Sequence, residues 1–275
     1  GQILVEGGDE RFIKAKIDNE KMSVMLFTSG TTSDSKIVAI SHKNLVSNLM
    51  DIASVLDINS DDVFLSFLPL HHVFECTVGF LFSLYVGAET VFCDGIRYIV
   101  ENLNEYKVSV MASVPAIYER IFKMIRREIA KKDDLEEILE NEKKYQNSSM
   151  EEKKEVFKSI HDMLGGNIKL LISGAASLDK EIEQKYRNLG LNLVQGYGLT
   201  ETSPVIGIGT KKYHKVGSIG KTVPSVEAKV IDCNNEGIGE LIVRGPNIML
   251  GYYQNEDATK KAIIDGWFYT GDLAR

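Results

Sequence analysis

The sequence predicts an α/β protein, a parallel sheet layered with helices, with a smaller β-rich C-terminal lobe. Three observations carry this expectation. Short apolar runs alternate with amphipathic helical stretches up to about residue 204, the pattern of a parallel sheet covered on both faces. After residue 205 the helical periodicity stops and hairpin signals replace it. The chain has 275 residues, 44% hydrophobic and 26% charged, which is ample for a large core. The expected division is 1–204 for the α/β part and 205–275 for the β-rich lobe.

The elements follow in order. MSVMLF (22–27) is a short apolar run that suits a buried strand, and KIVAI (36–40) reads as a second. Ser41 has the character of an N-cap for a helix over 42–56, where Leu45, Leu49, Ile52, Ala53 and Leu56 share a face. DVFLSFLPL (62–70) is a strand, VGFLFSLYVG (78–87) a buried helix closed by Gly87, and ETVFC (89–93) a strand. VSVMAS (108–113) is strand-like, and Pro115 stands where a helix can start. Residues 116–164 are mostly helical, with the stretch 126–158 so rich in both charges that it reads as exposed helices. NIKLLISG (167–174) is a strand, LDKEIEQKYRNLG (178–190) a helix, and LNLVQGYG (191–198) a strand and turn. VEAKVID (226–232) and GELIVRG (239–245), joined by NNEG, form a hairpin.

Composition excludes several classes. No run reaches the roughly 18 apolar residues of a membrane helix. The first residues, GQILVEGGDERFIK, have neither the basic nor the apolar region of a signal peptide. They also lack an initiator Met, so the chain reads as a piece of a longer protein. A net charge of -7 argues against a nucleic-acid binder and against electrostatic docking on anionic lipid. Cys76, Cys93 and Cys233 are few, odd in number and far apart, so they read as reduced and mostly buried. Together these features point to a cytoplasmic protein, with peripheral membrane contact left open.

Three stretches carry chemistry. In TSGTTSDSK (28–36), five small residues follow a strand and a lysine comes four places later. Backbone N–H groups of such a turn can converge on an anion, and hydroxyls add donors. The loop fails the Walker pattern, because Lys36 is preceded by Ser35 and followed by a strand rather than a helix. QGYGLTETSP (195–204) lies at a strand's carboxyl end, where open α/β sheets bind ligands. There Tyr197 offers an aromatic face, Thr200 a donor, and Glu201 a hard oxygen suited to Mg²⁺. In DGWFYTGDLAR (265–275), Asp272 can accept two ribose hydroxyls. Each stretch alone is also compatible with an ordinary polar turn.

Taken together, TSGTT-x-x-x-K, GYGLTE and W-F-x-TGD in this order resemble the adenylate-forming superfamily, which includes acyl-CoA synthetases and the adenylation domains of peptide synthetases. SGAAS (173–177), GSIGKTVPSVEAKVID and GELIVRGPNIMLGYY add to the resemblance, which runs from about residue 22 to the end. It implies that residues 1–204 are the nucleotide-binding part of an adenylation domain and that 205–275 are its β-rich lobe. It implies a phosphate loop of Thr28, Ser29, Gly30, Thr31, Thr32 and Lys36. It also implies Tyr197 stacked on adenine beside Gly174 and Ala175, Thr200 at the α-phosphate, Glu201 and Thr28 at Mg²⁺, and Asp272 on the ribose. Lys36, Thr200 and Glu201 would carry catalysis. The implied reaction joins a carboxylic acid to AMP from ATP and passes the acyl group to a thiol, usually coenzyme A. No protein nucleophile is required, because catalysis is then mostly positioning and electrostatics.

The loop departs from the family pattern at Ser33, Ser35 and Ile37, where glycine and proline are usual. In the family a small C-terminal domain follows TGD and a long segment precedes the loop. The chain by itself is therefore expected to bind nucleotide weakly and turn over poorly. LSFLPLHHVFE (65–75) resembles the LPL-x-H-x-F-E segment of long-chain fatty acyl-CoA synthetases, with His72 and Glu75 matching. That implies a medium- or long-chain fatty acid near His72, with Gly196 and Gly198 leaving space for its chain. Two alternatives stay open: an adenylating enzyme that loads a carrier protein, and a non-catalytic nucleotide-binding remnant.

Overall fold

The computed structural model describes residues 14–28, 36–131 and 135–275. It opens with an antiparallel pair, β1 (Met22–Phe27) and β2 (Ile37–Ser41), in which Phe27 faces Ile37 across the hydroxyl-rich loop. Ser41 caps α1 (His42–Val55) as expected: its hydroxyl accepts from the Asn44 amide while the Asn44 side chain accepts from the Ser41 amide. β1 is not the buried strand its composition suggested. Only Leu26 is buried, and Phe27 is 73% exposed, because β1 is an edge of a three-stranded sheet rather than part of the main one.

The main sheet begins with β3 (Val63–Ser66) and β4 (Glu89–Phe92), and continues through β5 (Val110–Ser113), β6 (Leu170–Ser173), β7 (Leu193–Gly198), β8 (Val205–Ile208) and β9 (Lys221–Thr222). Their spatial order is β4-β3-β5-β6-β7-β8-β9. The first five are parallel, and β8 and β9 add antiparallel pairings at the β7 side. Strand β3 is shorter than the apolar run, since Phe67 to Leu70 turn away after Ser66. The run that follows forms a π-helical stretch, Glu75–Leu81, leading into α2 (Phe82–Val86), so the helix starts earlier than its apolar residues indicate.

Successive strand residues enter opposite cores. Phe64, Val110, Ile172 and Val194 face α1 and the π-helical stretch. Leu65, Met111, Leu171 and Leu193 face the other layer. That layer contains α3 (Ile99–Glu105), α4 (Pro115–Lys131) and, after α5 (Leu135–Lys144) in the chain, α6 (Met150–Val156), α7 (Lys158–Met163) and α8 (Lys180–Asn188). Both faces being covered explains the continuous apolar strands. Tyr118 and Tyr186 are fully buried on this side, each worth about 1.5–3 kcal/mol from apolar burial. Their hydroxyls are used: Tyr118 donates toward the Met111 and Ile172 carbonyls at 2.9 and 3.0 Å, and Tyr186 donates to the Tyr118 carbonyl at 2.7 Å.

The last part adds β10 (Glu227–Ile231) and β11 (Gly239–Arg244), the expected hairpin, then β12 (Gly251–Tyr252), β13 (Ile263–Ile264) and β14 (Trp267–Ala274). Strands β10, β11, β14 and β13 form a four-stranded antiparallel sheet, while β12 returns to pair with β2. A short helix, α9 (Glu256–Ala262), capped by Asn255, stands where no helix was expected. With seven residues and none buried, it leaves no apolar periodicity to read. The cysteines also depart from expectation: Cys76 and Cys93 are half-buried and Cys233 is exposed, all three free. Cys233 lies in the turn after β10, which has no core beside it. No described helix is long and apolar enough to cross a membrane.

Candidate functional site

The parallel strands deliver their carboxyl ends to one edge. There the turn after β3 brings His72, Val73 and Phe74, the end of β6 brings Gly174 and Ala175, and β7 brings Gly196 to Gly198. These residues line an apolar cleft of about 160 Å³ that also takes in Leu199 and Thr200. A second, more open cleft lies toward the β-rich lobe, lined by Lys36, Glu201, Tyr252 and Thr270. Leu199 borders both. The consecutive residues Thr200 and Glu201, on a 3₁₀ turn, therefore serve different clefts, one apolar and one charged.

The turn that carries this pair is held from three sides. Asn48 of α1 exchanges two hydrogen bonds with the Val205 backbone at 2.7 and 3.0 Å. Asn247 donates to the Thr202 carbonyl at 2.8 Å, and the Met249 amide donates to the Glu201 carbonyl at 2.8 Å. Asn44 of α1 in turn holds the 246–248 segment through the Pro246 and Ile248 carbonyls, both at 2.8 Å. Sequence reasoning passed over these asparagines. Their signal is available, since Asn44 and Asn48 are poor helix formers four residues apart on a face that is otherwise apolar.

Two side-chain pairs join segments far apart in the chain. The Tyr197 hydroxyl donates to Asp272 Oδ2 at 2.6 Å. Burial and this carboxylate both push the Tyr197 hydroxyl above its ordinary pKa, so it remains a donor. The Tyr252 hydroxyl donates to Glu201 Oε1 at 2.9 Å, and the Lys36 ammonium sits 4.7 Å from the centre of the same ring. Burial and Glu201 hold the Tyr252 hydroxyl protonated as well. Tyr252 was not singled out from sequence, although it lies inside a quoted stretch, because nothing local to β12 tells of Glu201.

Of the residues expected to act together, Tyr197, Thr200, Gly174, Ala175, Gly196, Gly198 and His72 line the apolar cleft. Lys36 and Glu201 line the charged one, and Asp272 reaches Tyr197. Thr28 closes the base of the phosphate-type loop, its amide donating to the Lys36 carbonyl at 2.9 Å. Ser29, Gly30, Thr31 and Thr32 lie outside the described residues. Among the described residues no group of three or more His, Cys, Asp or Glu could hold a metal by itself. Glu201 fits a cation shared with a ligand's phosphate oxygens, the usual manner of Mg²⁺.

A buried network stands behind β7. Gln195, next to Gly196, accepts from the Leu178 amide at 3.2 Å and donates to Glu183 at 3.0 Å. Glu183, fully buried, also meets His214 Nε2 at 2.7 Å and the Gly217 amide at 2.8 Å. Burial would raise the Glu183 carboxyl, but these three partners outweigh it and hold its pKa below the ordinary value. A carboxyl lowered in the folded state stabilises above its unfolded pKa, and that contribution is lost as pH falls through the folded pKa. Glu183→Gln is therefore expected to lower the melting temperature at neutral pH. The gap to the parent should shrink as pH falls below the ordinary carboxylate range. Melting curves between neutral and strongly acid pH check this, and a gap that widened toward acid would contradict it.

The profile of the AMP-binding enzyme family matches residues 5–253. Long chain acyl-CoA synthetase 3 of Arabidopsis thaliana is 31% identical over 300 residues, covering 99% of this chain and 45% of that protein. A chloroplastic long-chain-fatty-acid–[acyl-carrier-protein] ligase of Arabidopsis thaliana is 29% identical, covering 93% of this chain and 42% of that protein. Among solved structures, apo MatB from Rhodopseudomonas palustris superposes with a TM-score of 0.74 at 25% identity, covering 95% of this chain and 47% of that one. The chain spans less than half the length of these relatives.

Proposed function

The chain belongs to the AMP-binding enzyme family, and from that premise we propose that the protein activates a fatty acid with ATP to acyl-AMP and transfers the acyl group to coenzyme A. The observation that carries this reading is the convergence of Lys36, Glu201 and Tyr252, from three segments, in the cleft adjoining the Tyr197–Asp272 pair. A cation, a carboxylate and a ribose-type acceptor are then disposed around a space open to a triphosphate.

In this reading Lys36 neutralises phosphate charge and the loop Thr28 to Thr32 donates hydrogen bonds to phosphate oxygens. Tyr197 lies against adenine with Gly174 and Ala175, Asp272 takes the ribose hydroxyls, and Thr200 donates to the α-phosphate. Glu201 and Thr28 hold Mg²⁺, whose charge makes pyrophosphate a better leaving group when it is bound. The acid enters by the apolar cleft, between His72 and the glycines Gly196 and Gly198. Its carboxylate attacks the α-phosphorus and pyrophosphate departs. Then the thiol of coenzyme A attacks the acyl carbonyl and AMP leaves. The work of the protein is alignment and charge stabilisation.

The test is acid-dependent ATP–pyrophosphate exchange by the complete protein that carries this sequence, across medium- and long-chain fatty acids. Exchange without any response to acid would overturn the reading. A second reading, transfer to a carrier protein, is favoured by the similarity to the acyl-carrier-protein ligase. Supplying coenzyme A or acyl carrier protein in the same assay and following thioester formation separates the two.

Tyr252→Phe keeps the ring beneath Lys36 and removes the hydroxyl that orients Glu201. A hydrogen bond to a charged group contributes ~1.5–3 kcal/mol. The Mg²⁺ concentration for half-maximal exchange is accordingly expected to change by on the order of tenfold, with the ATP requirement little altered. An unchanged Mg²⁺ titration would remove Tyr252 from this role.

A further inference from the structure

One buried acid is used by none of these roles. Glu75 opens the π-helical stretch directly behind the turn that supplies His72, Val73 and Phe74 to the apolar cleft. It is 1% exposed. Ser66, at the carboxyl end of β3, donates to Glu75 Oε1 at 2.5 Å, while Oε2 has no hydrogen-bond partner. Burial pushes the Glu75 carboxyl up to about 7; the Ser66 hydroxyl and the nearby Phe67 and Leu68 amides pull it back only in part. The titratable neighbours on which its charge acts are Cys76 and Tyr118.

Two glycines give the segment its close packing. A Cβ built on Gly79 would lie 2.6 Å from the Glu75 carboxyl, so the acid lies flat against that backbone. A Cβ on Gly174 would lie 2.7 Å from the Phe74 ring, so the ring is pressed against the end of β6. The segment from Ser66 to Glu75 is closed at its two ends by the Ser66–Glu75 hydrogen bond, and its last residues, His72 to Phe74, form one wall of the cleft.

We propose that Glu75 is a positioning residue that closes this loop onto β3, holds Phe74 against Gly174, and thereby sets which carboxylic acids the apolar cleft accepts. The proposal rests on the acid-activating reading for its substrate, but the closure of the loop does not. Glu75→Gln keeps the shape of the neutral acid, Glu75→Ala removes the tie, and Ser66→Ala removes only its partner. Phe74→Leu trims the wall without touching the tie.

The experiment has two readouts on the complete protein. The first is amide hydrogen exchange over residues 67–75. Glu75→Ala and Ser66→Ala are expected to speed it in that segment alone, and Glu75→Gln to leave it near the parent. The second is the kinetics of exchange with fatty acids of increasing length. Glu75→Ala and Phe74→Leu should raise the acid KM by about tenfold and broaden the length preference. The KM for ATP should hold, and Glu75→Gln should restore the parent profile. Unchanged amide exchange in both Glu75→Ala and Ser66→Ala overturns the proposal, as does a rise in the KM for ATP equal to that for the acid. Faster amide exchange in a protein that activates no acid would uphold the positioning role and overturn the functional reading alone. If Glu75→Ala does not fold, Ser66→Ala and Phe74→Leu decide the matter by the same criteria.

Discussion

Glu201→Ala is expected to lower acid-dependent ATP–pyrophosphate exchange by about 10²–10³-fold, the usual cost of removing one preorganised electrostatic group. The fold should hardly notice. The Glu201 side chain is only half-buried, and its hydrogen bond is to Tyr252, at the wall of an open cleft. Its main-chain carbonyl, which anchors the 3₁₀ turn to Met249, is kept by alanine. Melting should thus fall by no more than ~5 °C, the cost of the one hydrogen bond to Tyr252. Excess Mg²⁺ should recover part of the activity if the carboxylate serves the cation. Exchange that persisted at the parent rate would strip Glu201 of its proposed role.

The second large effect is expected at Gly198. A Cβ there would lie 1.8 Å from the Pro204 carbonyl oxygen. That oxygen accepts from the Leu199 amide at 3.2 Å and from the Thr202 hydroxyl at 2.5 Å. Gly198→Ala must push β7 and the Pro204 turn apart, disturbing both bonds. Overpacking costs ~1–3 kcal/mol and each lost hydrogen bond about 1 kcal/mol, which for this size lowers melting by roughly 5–10 °C. Because Tyr197 and Thr200 flank the shifted residue, exchange should fall by about 100-fold even where the protein stays folded. Gly196→Ala is the control. Its Cβ would find its nearest neighbours at 3.8 Å, so stability should hold and only the bulk of acid accepted should change. Equal melting of the two variants would show that the close approach at Gly198 has no energetic consequence.

The contrast between these glycines marks what local sequence can convey. Both stood in one motif and both suggested room for a substrate. Only the adjoining backbone reveals that the nearest carbonyl oxygen stands at 3.8 Å from a Cβ on one and 1.8 Å from a Cβ on the other. β1 gives a similar lesson. Its apolar composition implied burial, yet its place at the edge of a small sheet leaves Phe27 exposed. The change of texture after residue 204 falls where pairing switches from parallel to antiparallel between β7 and β8. Even so, β8 and β9 are hydrogen-bonded into the main sheet, not into the four-stranded one.

By itself the sequence determined the alternation of strands and helices, the cap at Ser41 and the hairpin after residue 226. These follow from local periodicity, from turn chemistry and from which backbone conformations each residue tolerates, all of which act within a few residues. The tertiary structure alone decided the pairs that give the site its geometry: Tyr197 with Asp272, Glu201 with Tyr252 and Lys36, and Asn48 of α1 with the Val205 backbone. Those partners are brought together by the order of strands in three sheets. A short-range pattern cannot specify that order, because the energy that selects it comes from burial and hydrogen bonding summed over the whole packed chain.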